Sequence, residues 1–217
     1  MIKIIFCGFM FYAENEEHIP YPAGHRDKVR KKIIQSARRL FNRRGFENVS
    51  VNQIMDGADL TRGGFYSYFK SKSDLYVEAL SCFFTDPTWK STWDGIEIDL
   101  DASLVGPQVV RAYLSRQHFE NVDDSCPMVA LPSDVARGGR KAKQAFEKVF
   151  RAMVRFLESD VRDCAGPAMT AQAIAALCIG GMVTARAMDD RALADSLRKA
   201  CLRVALRLGG WHERSKS

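Results

Sequence analysis

Paired cysteines, metal-ligand spacing and catalytic signatures are all missing from this chain. Its six cysteines (Cys7, Cys82, Cys126, Cys164, Cys178, Cys201) lie far apart and none forms a C-x-x-C pair. The four histidines do not fall at ligand spacing either. No structural zinc site and no cofactor are expected, and scattered thiols read as reduced and cytoplasmic. No nucleophile elbow or His-Glu zinc motif occurs, and Gly63-Gly64 lacks the Lys-Ser/Thr ending of a phosphate loop. An all-α enzyme is therefore the weakest functional reading. Asp99 and Asp101 alternate in an expected loop, where solvated charge explains them. Repeats and low-complexity tracts are missing too. The apolar stretch Met1–Tyr12 is too short to cross a bilayer as a helix.

What the chain does have is apolar material and a lopsided charge. Its 217 residues, 47% of them hydrophobic, can bury the core of one large domain or two small ones. The net charge is +6, yet residues 25–72 carry twelve Lys/Arg against four Asp/Glu, while residues 73–217 carry nineteen of each. A positive surplus confined to one segment is the footprint of a nucleic-acid binder.

Inside that segment, Thr61–Phe69 reads T-R-G-G-F-Y-S-Y-F. Thr61 is placed to N-cap a helix. Phe65 and Phe69, four apart, share an inward face, and Arg62, Tyr66, Ser67 and Tyr68 fall on others. Gly63 and Gly64 leave the backbone open to an extended partner. A compact helix precedes it over Ser50–Ala58, with Ser50 and Gln53 at capping-box spacing. Helix, short turn and helix make a helix-turn-helix, whose second helix enters the major groove.

Ala37, Leu40-Phe41, Gly45-Phe46, Val49-Ser50-Val51, Ile54 and the run Thr61, Gly63, Tyr66, Phe69, Lys72 and Leu75 together resemble the amino-terminal domain of tetracycline-repressor-type (TetR family) regulators. The resemblance spans residues 26 to 80. It departs at Asp59, where the family usually has Gly; Asp tolerates the left-handed backbone better than most residues. The resemblance implies binding of a pseudo-palindromic double-stranded DNA operator through Ser50, Asn52, Thr61, Arg62, Gly63, Tyr66, Ser67, Tyr68 and Lys72. Arg62 is the candidate to reach a base edge, and Thr61, Tyr66, Tyr68 and Lys72 the candidates to hold phosphates.

The expected fold is all-α: an extension over 1–24, a three-helix DNA-binding domain over 25–72, and a helical effector-binding and dimerisation domain over 73–217. A first helix is expected over Arg26–Arg44, with Val29, Ile33, Ala37, Leu40 and Phe41 on one face and Gly45 closing it. A linking helix from Lys70 to near Asp86, a loop over Thr88–Ser103, and helices over Leu104–Glu120, Cys126–Ala136 (interrupted by Pro132) and Arg140–Arg162 follow. Two more close the chain, over Thr170–Met188 and Arg191–Leu208.

The body holds more large apolar side chains than one face per helix requires. A small-molecule pocket is therefore expected among Trp89, Trp93, Tyr113, Phe119, Cys126 and Met128, with Val129, Phe150 and Met153. Arg116 and His118 are its polar candidates. Cys126 is either a thiol sensor or a small core residue. The family resemblance implies that the last two helices meet their copies in a homodimer, through Gly180, Gly181, Leu197, Cys201 and Val204. It also implies a cytoplasmic repressor, released by a hydrophobic or thiol-reactive effector, with no membrane partner. A ligand-independent architectural or division-control protein on the same fold is the alternative.

Overall fold

The computed structural model describes residues 24–82, 98–99, 102–162 and 166–211, and every regular element among them is helical. Trp89, Trp93, Cys7, Cys164, residues 1–23 and nearly all of the expected 88–103 loop lie outside the described residues. The head consists of α1 (His25–Arg44), α2 (Val51–Asp56), a 3₁₀ helix (Arg62–Ser67) and α3 (Lys72–Ser81). The body consists of α4 (Gly106–Tyr113), α5 (Arg116–Glu120), α6 (Pro127–Ala130), α7 (Pro132–Arg137), α8 (Arg140–Glu158), α9 (Pro167–Arg186) and α10 (Arg191–Leu208).

Local chemistry sets most of these boundaries. Gly45, at φ 75°, ends α1 and its N–H donates to the Phe41 carbonyl. Ser50 and Gln53 form the expected capping box of α2. Ser71 accepts from the Asp74 N–H at the start of α3, and Asp190 accepts from two N–H groups at the start of α10. Proline occupies the first turn of α4, α6, α7 and α9, where a missing N–H costs nothing.

Two expected helices change form. Leu104–Glu120 divides into α4 and α5, because Ser115 caps a new start by accepting from the His118 N–H, and Arg198 takes the Leu114 carbonyl at 2.8 Å. Within Thr61–Phe69 the helical part, Arg62–Ser67, is 3₁₀ rather than α, and Thr61 makes no side-chain cap. Two successive glycines disfavour a regular α turn there.

Two apolar clusters hold the molecule together. The head cluster joins Ile33, Ala37 and Phe41 to Ile54, Met55, Phe65 and Phe69, and extends through Leu75 and Leu80 of α3. Leu131, Val135, Ala142 and Ala145 of the body complete it. Helix α3 packs against both α1 and the body helix α8, so the expected division at residue 72 falls in a core that head and body share. The second cluster contains Tyr113, Cys126, Met128, Val149, Met153, Leu157, Ile174, Cys178 and Met182, and Phe146 packs against both.

Helix α9 is apolar on all sides, long and apolar enough to cross a membrane by length and composition alone. Only 39% of its apolar window is buried. Its inner side (Ile174, Cys178, Met182) enters the core, whereas Ala173, Ala176, Gly180 and Val183 face outward. Leu193, Val204 and Leu208 extend that exposed apolar surface onto α10.

Candidate nucleic-acid interface

The two helix-turn-helix segments are joined by residues 57–61, and the turn is set by backbone bonds: Leu60 N–H to the Met55 carbonyl at 2.9 Å, and Asp59 N–H to Asp56 at 3.1 Å. Asp59 has φ 58°, and no other non-glycine described residue has a positive φ. The backbone thus takes the left-handed form expected of this position. Asp59→Gly is expected to raise stability by roughly 0.5–1 kcal/mol, because relief of the left-handed strain exceeds the entropy cost of glycine. An unchanged or lower urea midpoint would refute that strain.

Phe65 and Phe69 are buried, 5.8 Å apart between ring centroids, and anchor the 3₁₀ segment from behind. Thr61, Arg62, Gly63, Tyr66 and Ser67 stand exposed in front, with Ser50 and Asn52 exposed on the neighbouring α2. Tyr66 is 68% exposed. A Cβ on Gly63 would meet nothing within 4 Å, and no positive φ demands glycine there. No contact within the described chain therefore requires glycine at this position.

Two of the expected contacts also hold the head together. Tyr68 is half-buried under the Arg26 guanidinium, whose Nη2 donates to the Ser67 carbonyl at 2.9 Å. Lys72 Nζ donates to the Phe46 and Val49 carbonyls, both at 2.9 Å, and lies 4.2 Å from the Phe46 ring centroid. Two of its three donors are thereby engaged in fastening the α1–α2 loop.

A polar clasp unseen in the sequence connects head to body. On α1, Arg39 Nε donates to Asp124 at 2.8 Å, Arg43 pairs with Asp123, and buried Arg38 reaches Asp124 at 3.4 Å. Asn42 Nδ2 donates to the Asp123 and Ser125 carbonyls at 3.0 and 2.9 Å. The Arg43 hydrogen bond holds the Asp123 carboxyl below its ordinary range. From the other side, Arg186 of α9 donates to Ser125 Oγ at 2.8 Å, to the Phe119 and Asn121 carbonyls at 3.2 Å each, and to the His118 carbonyl. The sequence offered only Arg186, a lone charge in the last turn of an apolar helix.

Tyr113, Phe119, Cys126, Met128, Val129 and Met153 come together in the body cluster, with Phe150 packed against it. Arg116 does not join them: its side chain is exposed and pairs with Glu120 at 2.8 Å. Spaced four apart on one helical face, the two charges meet in solvent. Burial pushes the Cys126 thiol up to about 11, so it is protonated and shielded.

His118 is buried beside it. Nδ1 lies 2.7 Å from the Tyr113 carbonyl and Nε2 lies 3.2 Å from Ser125 Oγ, which fits an Nδ1–H tautomer with Nε2 accepting. Desolvation lowers its pKa to about 4. Because the unfolded ring binds its proton first, stability is complete above pH 6.5 and falls as pH drops toward 4. The expected loss is about 3 kcal/mol, and His118→Gln should flatten it. Urea titrations across that range measure both, and an equal slope in the variant would remove His118 as the cause.

The dimerisation candidates separate. Gly180 is exposed with nothing within 4 Å of a built Cβ, and Val204 is 45% exposed. Gly181 and Cys201 instead face each other inside the chain: a Cβ on Gly181 would lie 2.7 Å from Cys201 Sγ. Leu197 is half-buried against the body core.

A short capped helix, a tight turn and an exposed second segment on a basic head, carried by a helical body, define a helix-turn-helix DNA-binding protein. Residues 33–79 match the family model described as bacterial regulatory proteins, tetR family. The chain is 28% identical over 104 residues to the HTH-type transcriptional regulator YfiR of Bacillus subtilis, covering 44% of this chain and 51% of YfiR. It is 41% identical over 51 residues to AcrR of Shigella flexneri, covering 24% of each. It thus spans about half the length of YfiR and a quarter of AcrR. Among solved structures, reduced E. coli NemR superposes with a TM-score of 0.67 at 17% identity, over 83% of this chain and 96% of NemR. The SmeT–triclosan complex gives 0.56 at 17%, over 87% and 96%. Residues 33–79 thus carry a TetR-family helix-turn-helix, and the described chain as a whole has the fold of TetR-type transcriptional regulators.

Proposed function

We propose that the protein is a cytoplasmic, homodimeric repressor that binds a pseudo-palindromic operator and is released by a small hydrophobic ligand. The observation that carries this reading is the front of the 3₁₀ segment. Arg62, Tyr66 and Ser67 are exposed around a glycine that no contact within the chain requires. Arg62 carries five donors in a rigid fork suited to a guanine edge, and Gly63 lets the backbone approach a phosphate.

Two heads must enter successive major grooves about 34–36 Å apart, so a dimer is required and a shift of a few Å breaks register. The exposed apolar surface of α9 and α10 suits that dimer. For the ligand, SmeT shares the fold and forms a complex with triclosan. The apolar residues of the body cluster suit a hydrophobic effector, and the shielded, protonated Cys126 favours this over a thiol-reactive one. The loop spanning 121–125 touches both that cluster and α1, so an effector that shifts it would shift the head.

Arg62→Ala is expected to weaken the operator complex by roughly 1–3 kcal/mol and to relax its sequence preference. Lys72→Ala should weaken all duplexes alike, and should also lower the melting temperature because two loop carbonyls lose their donor. Binding isotherms on operator and scrambled duplexes separate the two effects. Uniform loss in both variants would show that Arg62 does not read sequence.

A further inference from the structure

We propose that Arg26 of α1 is a positioning residue for DNA recognition, fixing the C-terminal end of the 3₁₀ helix and with it the aim of Tyr66 and Ser67. This role rests on Arg62–Ser67 being the segment that faces DNA. That segment does little to support itself. It is six residues of 3₁₀ helix, a geometry whose poorer hydrogen bonds make runs beyond about four residues uncommon. Thr61 gives it no side-chain cap, and Gly63 and Gly64 leave its first turn loose. Its orientation is therefore imposed by what holds it. Phe65 and Phe69 pin it to the head cluster along its buried side. Two pins on one side fix a line, about which a short segment can still roll.

The third attachment comes from α1. Arg26 Nη2 donates to the Ser67 carbonyl at 2.9 Å, and the guanidinium lies 5.9 Å from the Tyr68 ring centroid. Ser67 is the last residue of the 3₁₀ helix, where carbonyls lack a partner within the helix. Tying that carbonyl fixes the peptide plane between Ser67 and Tyr68, and Tyr66 stands one residue before it. The donor is itself well founded. Arg26 sits in the first turn of a 20-residue helix whose Val29, Ile33, Ala37 and Phe41 pack in the head cluster. One turn further on, Arg30 repeats the grip: its guanidinium lies 4.8 Å from the Phe69 ring centroid and pairs with Glu78 of α3. Residues 67–69 are thus held by two arginines four apart on one face of α1. The Arg30 contact is part-buried and tied to a carboxylate, so it belongs to the fold. The Arg26 hydrogen bond is exposed, and water would replace it at small cost to stability while leaving the end of the segment free. Loss of Arg26 should therefore cost recognition more than folding.

Arg26 also has donors to spare, so a direct phosphate contact is the competing role. The test uses the full-length protein and a fully randomised duplex pool, from which the wild type selects its preferred duplex. Affinities for that duplex and for its single-base derivatives are then measured across salt concentrations. Arg26→Ala is expected to lower the preference for the selected duplex roughly three- to tenfold, with the melting temperature unchanged and the salt slope altered by less than one phosphate contact. Arg26→Lys should recover little of that preference, because an ammonium lacks the planar fork that lies over Tyr68. A uniform loss of affinity in Arg26→Ala, with a salt slope smaller by about one and restored by lysine, would overturn the proposal in favour of a phosphate contact. A wild-type preference in Arg26→Ala would also overturn it, and so would a preference loss matched by a fall in melting temperature. Arg62→Ala, measured alongside, tells the two readings apart. Preference lost there and kept in Arg26→Ala removes the positioning role alone. Preference kept in both removes the reading of Arg62–Ser67, and the positioning role with it.

Discussion

Gly181→Leu should unfold the body, and Gly180→Leu, one residue away, should leave a folded monomer. At Gly181 even the first carbon of a side chain would sit 2.7 Å from Cys201 Sγ and 3.1 Å from its Cβ. The rest of a leucine would have to displace α10. Overpacking of this kind costs about 3 kcal/mol or more, a large part of the stability of a typical domain. At Gly180 the same leucine enters open space within the chain, and replacing a mid-helix glycine favours the helix by roughly 1 kcal/mol. Its effect falls on whatever lies across the exposed α9 surface. Urea unfolding and sedimentation velocity at micromolar concentration report the two outcomes. A Gly180→Leu protein that sediments with the wild-type dimer would refute the α9 interface.

Arg186→Met is expected to cost about 3 kcal/mol, because a charged donor is withdrawn from three carbonyls and a hydroxyl in a part-buried site. The Met stem keeps most of the packing, so the loss is chiefly of hydrogen bonds. The consequence should travel. With residues 118–125 released from α9, the partners of Arg39, Arg43 and Asn42 lose their anchor, and the C-terminal half of α1 should exchange its amide hydrogens faster. DNA affinity should change although Arg186 is remote in sequence from the head. If exchange in α1 stays at the wild-type rate while global stability falls, Arg186 serves the body alone and the clasp transmits nothing.

The sequence by itself determined the elements whose causes are local. The Ser50–Gln53 capping box, the stop at Gly45, the left-handed Asp59 and the stripe Ile33-Ala37-Phe41 all depend on neighbours within a turn or two. They were legible because helix periodicity and capping are short-range. The exposed front of Thr61–Ser67 was legible for the same reason, once Phe65 and Phe69 set the buried side. Tertiary structure alone decided what depends on distant partners. Arg38 and Asp124 meet 86 positions apart, and Arg186 and His118 meet 68 apart. Nothing in local spacing distinguishes such arginines from solvated ones. The division of Leu104–Glu120 required Arg198 of another helix at the Leu114 carbonyl. Gly180 and Gly181 look alike in the chain, and only the 100° turn between successive helix positions, set against the location of α10, sends one outward and the other into Cys201.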